Sequence, residues 1–476
     1  MRCPRAIVLA ALALLASPAA FGDHQAAVDA LNVPSKAVQE SSRSWKTVFD
    51  AYLAMTPAPA VNGGLKATGV WPGMPEWDAV KSWAAANPRM AEAILAAQKS
   101  VAFAMPYGRA NVPVQYVERG VFIGIGDGLA VCFTDVAYLK PLADVQAYAV
   151  AEMYRLGQES RFDDAFGLGL ATMRFLRQVA DQHLLSEKVA AMQGLCEMAS
   201  IQRDVLQAFL GQVPAAVVKK YSLSGYPALS PADGERLRRL DMPEGDRVLA
   251  EALIAQVFDA QGQPDGDRFA RTMAQFQSRR EPLSAFGAAR RWEQIAEVHA
   301  SETATGERLT RIYDDWWRRW RARESIDRPT VISKTNPMKY AMVLAMATDL
   351  DRLFALRKWL NAELNGTAIA FGVVAYFRET GAWPKGIEST YGVSTVKRFD
   401  LDPWDARRGR WHYELVTSPR AIESEFGQLQ LSGGVVYAVG ADGEDGVAKK
   451  STVDGVSGDF VAWPALRAVS RGATTK

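Results

Sequence analysis

The last quarter of the chain places the tightest limit on its fold. Phe399-Asp-Leu-Asp402-Pro403-Trp404-Asp405 is followed by Trp411-His412-Tyr413, then by Gly433-Gly-Val-Val-Tyr437-Ala-Val-Gly440-Ala-Asp442-Gly443-Glu444-Asp445-Gly446, then by Gly458-Asp459-Phe-Val-Ala-Trp463. Short apolar runs bounded by Gly, Pro and Asp read as strands joined by tight, acidic turns. Strands are expected over 411–416, 435–439 and 459–463. Ahead of them, Leu350, Leu353, Phe354, Leu360, Leu364, Ile369 and Val373 recur at helical spacing. Gly381 supplies the C-cap, with Pro384 beyond it. Residues 338–466 are therefore expected to form a small α+β domain, one long helix plus a three-stranded antiparallel sheet, with 467–476 as a tail.

The remainder reads as mainly α, built from helical hairpins in a repeat-like arrangement. Residues 23–127 form an N-terminal, mostly helical region. Trp45, Phe49, Tyr52 and Leu53 share one helical face, and Asn87-Pro88 marks the start of a helix through Met90, Ile94 and Leu95. Residues 128–330 form a second helical domain, with Leu156, Phe162, Phe166, Leu170, Met173 and Leu176 on one stripe. Breaks are expected at Tyr226-Pro227, Ser230-Pro231, Met242-Pro243 and Gly262–Gly266, and a linker over 324–336. Leu309, Ile312, Tyr313, Trp316, Trp317 and Trp320 form an aromatic stripe opposite Arg318, Arg319, Arg321 and Arg323. That pattern fits a core-facing helix with solvated arginines, or a surface for an acidic partner or membrane.

The front end bears on compartment. Arg2 and Arg5 precede the apolar run Ile7–Ala16, and small residues end at Gly22. This is the pattern of a signal peptide over 1–22, which implies export. No later stretch reaches about 18 uninterrupted apolar residues, so no transmembrane segment is expected after cleavage. The chain has 476 residues, 49% hydrophobic and 23% charged, with a formal charge of +2. Losing Arg2 and Arg5 with the leader brings the charge to zero, which gives no reason to expect nucleic acid as a partner. Cys132 and Cys196 would remain. They either pair, closing a loop of about 65 residues worth about 3–4 kcal/mol, or stay as two buried thiols.

Two resemblances follow from quoted residues. Ala151-Glu-Met-Tyr-Arg-Leu-Gly-Gln-Glu-Ser-Arg-Phe-Asp-Asp-Ala165 resembles one tetratricopeptide-type hairpin, without its usual turn glycine. Ala375-Tyr376-Phe-Arg-Glu-Thr-Gly381-Ala-Trp383-Pro384, the Asp402-Pro403-Trp404 turn, Trp411-His412-Tyr413, the Tyr437–Gly443 segment and Gly458–Trp463 occur in an order similar to that of the globular domain of the type II secretion major pseudopilin. The likeness covers roughly 350–465. No prepilin leader precedes it, and about 330 residues of other protein intervene, so the resemblance implies an exported protein carrying this domain at its end. It also implies a calcium-binding loop. Asp442, Glu444, Asp445 and Asp459, with Asp454, would supply the carboxylates, and calcium takes six to eight oxygens on a flexible loop.

Catalytic patterns are sparse. His24, His183, His299 and His412 lack metal-ligand spacing, and the chain has no Gly-x-Ser-x-Gly elbow and no Walker sequence. Gly124-Ile-Gly126-Asp-Gly128 reads as a tight turn after a strand over 121–125. Asn365-Gly-Thr367 fits the glycosylation pattern but falls in an expected helix. Two functional readings result. One is a non-enzymatic envelope or periplasmic protein, a helical scaffold for a protein partner. The other is an exported hydrolase whose cleft would depend on a buried carboxylate, His183 or His299.

Overall fold

The computed structural model describes residues 24–62, 64–222, 240–280, 287–322, 330–347, 350–392 and 401–472, except 406, 408 and 453. The expected leader 1–22, the breaks at Tyr226-Pro227 and Ser230-Pro231, Arg323, residues 324–329 of the expected linker and Phe399 lie outside these residues.

The chain is mainly helical with a small sheet near its C-terminus. In order come α1 (His24–Lys36), α2 (Ser44–Ala54), α3 (Trp77–Ala86), α4 (Pro88–Ala97), the single turn α5 (Val114–Val117), β1 (Gly124–Ile125) and β2 (Thr134–Asp135). Then follow α6 (Leu139–Gln158), α7 (Phe162–Val179), α8 (Leu185–Ala208), α9 (Ala215–Lys220), α10 (Gly245–Val257), α11 (Gly266–Arg280), α12 (Ala288–Ala296) and α13 (Glu302–Ala322). The last group is α14 (Ala341–Met346), α15 (Leu350–Thr380), β3 (His412–Ser424), β4 (Gly427–Ala438), β5 (Lys450–Ser451), β6 (Phe460–Trp463) and α16 (Leu466–Ser470).

Local chemistry explains several boundaries. Pro88 opens α4, where its missing N–H costs nothing. Asn87 precedes it, but its amide bonds Thr56 and Trp83 instead of capping the helix. Helices α6 and α7 are joined by three residues, with Ser160 in the left-handed region at φ 59° where a glycine is the usual choice. Asp163 and Asp164 then sit in the first turn of α7, where they favour the helix dipole. Around Gly124–Gly128, β1 pairs antiparallel with β2. A Cβ at Gly126 would lie 2.2 Å from the Ala130 carbonyl oxygen, so only glycine closes that turn.

One continuous apolar core runs from Ala27 in α1 to Trp463 in β6. Its centre is α15, 31 residues long and buried continuously from Ala362 to Ala375. Helix α8 packs along one side of it, α9 along another, and β4 and β6 close the remaining face. The closest approach to the sheet is at Gly366, where a Cβ would fall 2.7 Å from Ala462 Cβ and 2.8 Å from the Trp411 ring. A second, smaller core on the sheet's other face gathers Val416, Ile422, Leu431, Val435, Tyr437 and Leu466.

The sheet differs from expectation in two ways. Its order is β5-β3-β4-β6, so a fourth, two-residue strand pairs parallel with the end of β3 beside the antiparallel set. Strands β3 and β4 are also longer than 411–416 and 435–439. Ser418, Pro419, Gly433 and Gly434 mask that continuation in the sequence. Pro419 sits where the β3–β4 register shifts between Val416 and Arg420, a place where a ladder tolerates proline. Trp383 covers Gly433 and Gly434, with ring atoms within 3 Å of where their Cβ atoms would be, and stacks on Phe377 at 4.2 Å. An aromatic laid over glycines restores the packing they lack.

Candidate functional site

The acidic loop is built by backbone donors. Asp459 is fully buried at the start of β6, and its two oxygens accept from Gly446 N at 3.2 Å and Ala448 N at 2.7 Å. Those bonds hold Val447 and Ala448 in the left-handed region at φ 55° and 49°, which side chains other than glycine rarely adopt. Asp442 accepts from Glu444 N and Gly458 N, Asp445 from Val447 N, and Asp454 from Val456 N. Asp402 of the Asp-Pro-Trp turn accepts from Trp404 N and Val439 N. Burial raises the Asp459 carboxyl above its usual range, partly offset by the two N–H bonds.

Calcium requires a shell of oxygens facing one point. Here Asp442, Asp445, Asp454 and Asp459 face N–H groups, Glu444 is exposed, and no three His, Cys, Asp or Glu side chains among the described residues are gathered as around a metal. In this arrangement the carboxylates are engaged by backbone N–H groups and are not gathered about one point among the described residues.

The histidines lie apart. His299 is buried with Nδ1 3.0 Å from the Ala300 carbonyl, while Nε2 accepts from Met342 N at 3.3 Å. Both ring nitrogens serve the backbone, and burial lowers its pKa. Burial also pushes His183 down to about 4. His412 stacks on Tyr437 at 4.9 Å and points Nδ1 at Asp445, 3.6 Å away. His24 pairs with Asp127 at the surface.

Beside His183 is a cluster that the sequence reading overlooked. Glu187, fully buried in the first turn of α8, accepts from Tyr107 Oη at 2.7 Å, Tyr138 Oη at 2.8 Å and Leu184 N at 3.1 Å. Tyr107 Oη in turn accepts from His183 N at 2.7 Å. Burial pushes Glu187 up to about 7 despite these donors, and pushes neighbouring Lys188 down to about 8. Lys188 Nζ donates to the Ala180 carbonyl at 2.6 Å. The node ties the 107 loop, the start of α6 and the start of α8 together.

A second buried network joins α8 to α15 and α16. Arg203 pairs with Glu363 at 2.6 Å and donates to Thr367 Oγ1, while Trp359 Nε1 donates to the other Glu363 oxygen. Next to it, Asp204 accepts from Tyr154 Oη and from Arg471. Arg203, Asp204 and Glu363 line a crevice with Phe460 and Arg467 of only about 40 Å³. That space holds on the order of three waters. Arg203 and Asp204 adjoin as a charged doublet in a helix that also carries Glu187, Lys188 and Glu197, so the sequence did not single them out.

Cys132 and Cys196 are both free thiols; Cys132 Sγ lies 3.3 Å from the Leu249 carbonyl and Cys196 is buried in α8. The arginine face of α13 divides. Arg319 turns inward to Asp315 at 3.0 Å, whereas Arg318 and Arg321 face solvent. Asn365 and Thr367 are buried in α15, which leaves no acceptor surface for a glycan. No helix among the described residues is long and apolar enough to cross a membrane. No protein-family model matches the chain, and no curated protein or solved structure is significantly similar to it.

Proposed function

We propose that this chain is an exported, non-enzymatic envelope or periplasmic protein, a helical scaffold for contacts with a protein partner that ends in a pseudopilin-like domain. One observation carries the reading. The buried ionisable groups a hydrolase would need are committed to holding the fold: His299 by two backbone contacts, Glu187 by two tyrosines and its own helix start, Glu363 by Arg203 and Trp359. Catalytic groups need a substrate-sized space beside them, and the crevice at Arg203 and Glu363 is far smaller than that. The order of a long helix followed by the β3–β4–β6 meander supports the terminal-domain likeness. The hairpins α6–α7 and α7–α8 support a repeat-like body.

The test has two arms. N-terminal sequencing of the protein recovered from cell fractions is expected to begin after Gly22, in the extracytoplasmic fraction. A hydrolase panel run on that material is expected to give no turnover. A cytoplasmic protein retaining Met1, or turnover abolished by His183→Ala or Glu187→Gln in a folded variant, would sink the proposal.

A further inference from the structure

The aromatic and arginine run of α13 faces two ways. Trp316 and Trp320 pack inward on Phe354 of α15, at 5.5 and 5.2 Å, and Arg319 is buried against Asp315. Arg318, Arg321 and half-buried Trp317 are left facing outward. With Asp314, and with Glu244 and Arg247 of α10, they line an open groove of about 760 Å³. Ligand sites commonly measure about 300–1,000 Å³.

The charges of this groove are layered. The Arg318 side chain is 76% exposed, while its partner Asp315 lies beneath it at 5%. Arg247 reaches Glu251 at 2.8 Å. Glu244 accepts from Trp317 Nε1, and burial pushes it up to about 7, so at neutral pH it carries only part of its charge. Arg321 lies 4.8 Å over the Trp317 ring. The Arg318 and Arg321 guanidinium groups therefore form the exposed rim, while Arg247 sits at the depth of Glu244 and Glu251 and is balanced by them. Asp314 is the one exposed acid in the lining.

We propose that this groove docks an acidic, carboxylate-rich segment of a protein partner. The proposal deepens the scaffold reading and rests on it. Arginine forks take carboxylates in a bidentate geometry that lysine does not reproduce. The Trp317 ring backs the Arg321 guanidinium and holds it over the groove.

The experiment is fluorescence anisotropy on the full chain with labelled ten-residue peptides, one glutamate-rich, one lysine-rich, one glutamine-rich and one apolar, at low and high salt. The glutamate-rich peptide is expected to bind, to weaken at least tenfold in the Arg318→Glu/Arg321→Glu variant, and to weaken with salt. Arg318→Gln/Arg321→Gln serves if the charge reversal fails to fold. No binding of the acidic peptide at low salt, or binding unchanged in either double variant, overturns the proposal. Binding of another peptide that ignores both variants also overturns it, while leaving the scaffold reading in place.

Discussion

Arg203 of α8 and Glu363 of α15 form an ion pair 2.6 Å long, with side chains 5% and 1% exposed. The pair sits where the helical body meets the helix that carries the sheet. Taking two charges out of water is costly, and the cost is met only while both remain paired and hydrogen-bonded. Removing one partner leaves the other stranded. Arg203→Met alone, or Glu363→Leu alone, is expected to destabilise the protein by about 3–5 kcal/mol, whereas the double replacement recovers most of that loss. Denaturant melts of the two single variants and the double variant check this. A loss in the double variant equal to the sum of the two single losses would show that the pair contributes nothing specific.

Asp459 anchors the acidic loop through Gly446 N and Ala448 N. Asp459→Ala leaves the buried Ala448 donor without an acceptor, at an expected cost of about 1–3 kcal/mol, while the Gly446 donor lies where water reaches it. If the carboxylate serves the backbone, the loss is the same in calcium and in chelator. A melting temperature of the parent chain that rises by several degrees with calcium, with the gain abolished in Asp442→Ala, would instead show that the loop rearranges around the ion.

Gly366 touches the sheet. Its missing Cβ would lie 2.7 Å from Ala462 Cβ. Gly366→Ala raises helix propensity by about 1 kcal/mol but forces apart two close-packed layers, at a cost of about 1–3 kcal/mol. The expected result is net destabilisation, relieved by Ala462→Gly. A variant more stable than the parent would mean the layers have slack.

Much of this architecture was legible from periodicity. The long helix, its Gly381 end and three of the four strands lie where apolar spacing and turn residues placed them, because those signals are local. The extension of β3 and β4 was not legible: Gly433 and Gly434 look like a loop until Trp383, about 50 positions earlier, is seen to cover them. Glu187 was missed for the same reason. Its donors Tyr107 and Tyr138 are 80 and 49 residues away, and nothing beside it in the sequence announces a buried carboxylate. The acidic loop was read from a resemblance and from its run of carboxylates, and neither says whether those groups face one another or the backbone.

Glu187 gives the last prediction, on pH. Its carboxyl is raised from 4.5 to about 7 by burial. Between those values the folded protein holds a proton that the unfolded chain has released, so this group's contribution to stability falls as pH rises from 4.5 to 7. Each unit is worth about 1.4 kcal/mol at most. His183, lowered from 6.5 to about 4, acts with the opposite sign, since the unfolded chain binds the proton the folded one refuses. The two slopes overlap and partly cancel, so the parent profile alone does not reveal Glu187. The difference between parent and Glu187→Gln does. The parent is expected to lose ground against the variant steadily from pH 4.5 to 7 and to hold level on either side of that window. Lys188, lowered from 10.5 to about 8, makes both proteins gain stability as pH climbs above 8, and so drops out of the comparison. Urea melts of the two proteins at half-unit pH steps read the effect directly. A difference that does not change with pH would mean Glu187 keeps an ordinary carboxylate pKa, and that its two tyrosines and the Leu184 amide fully offset its burial.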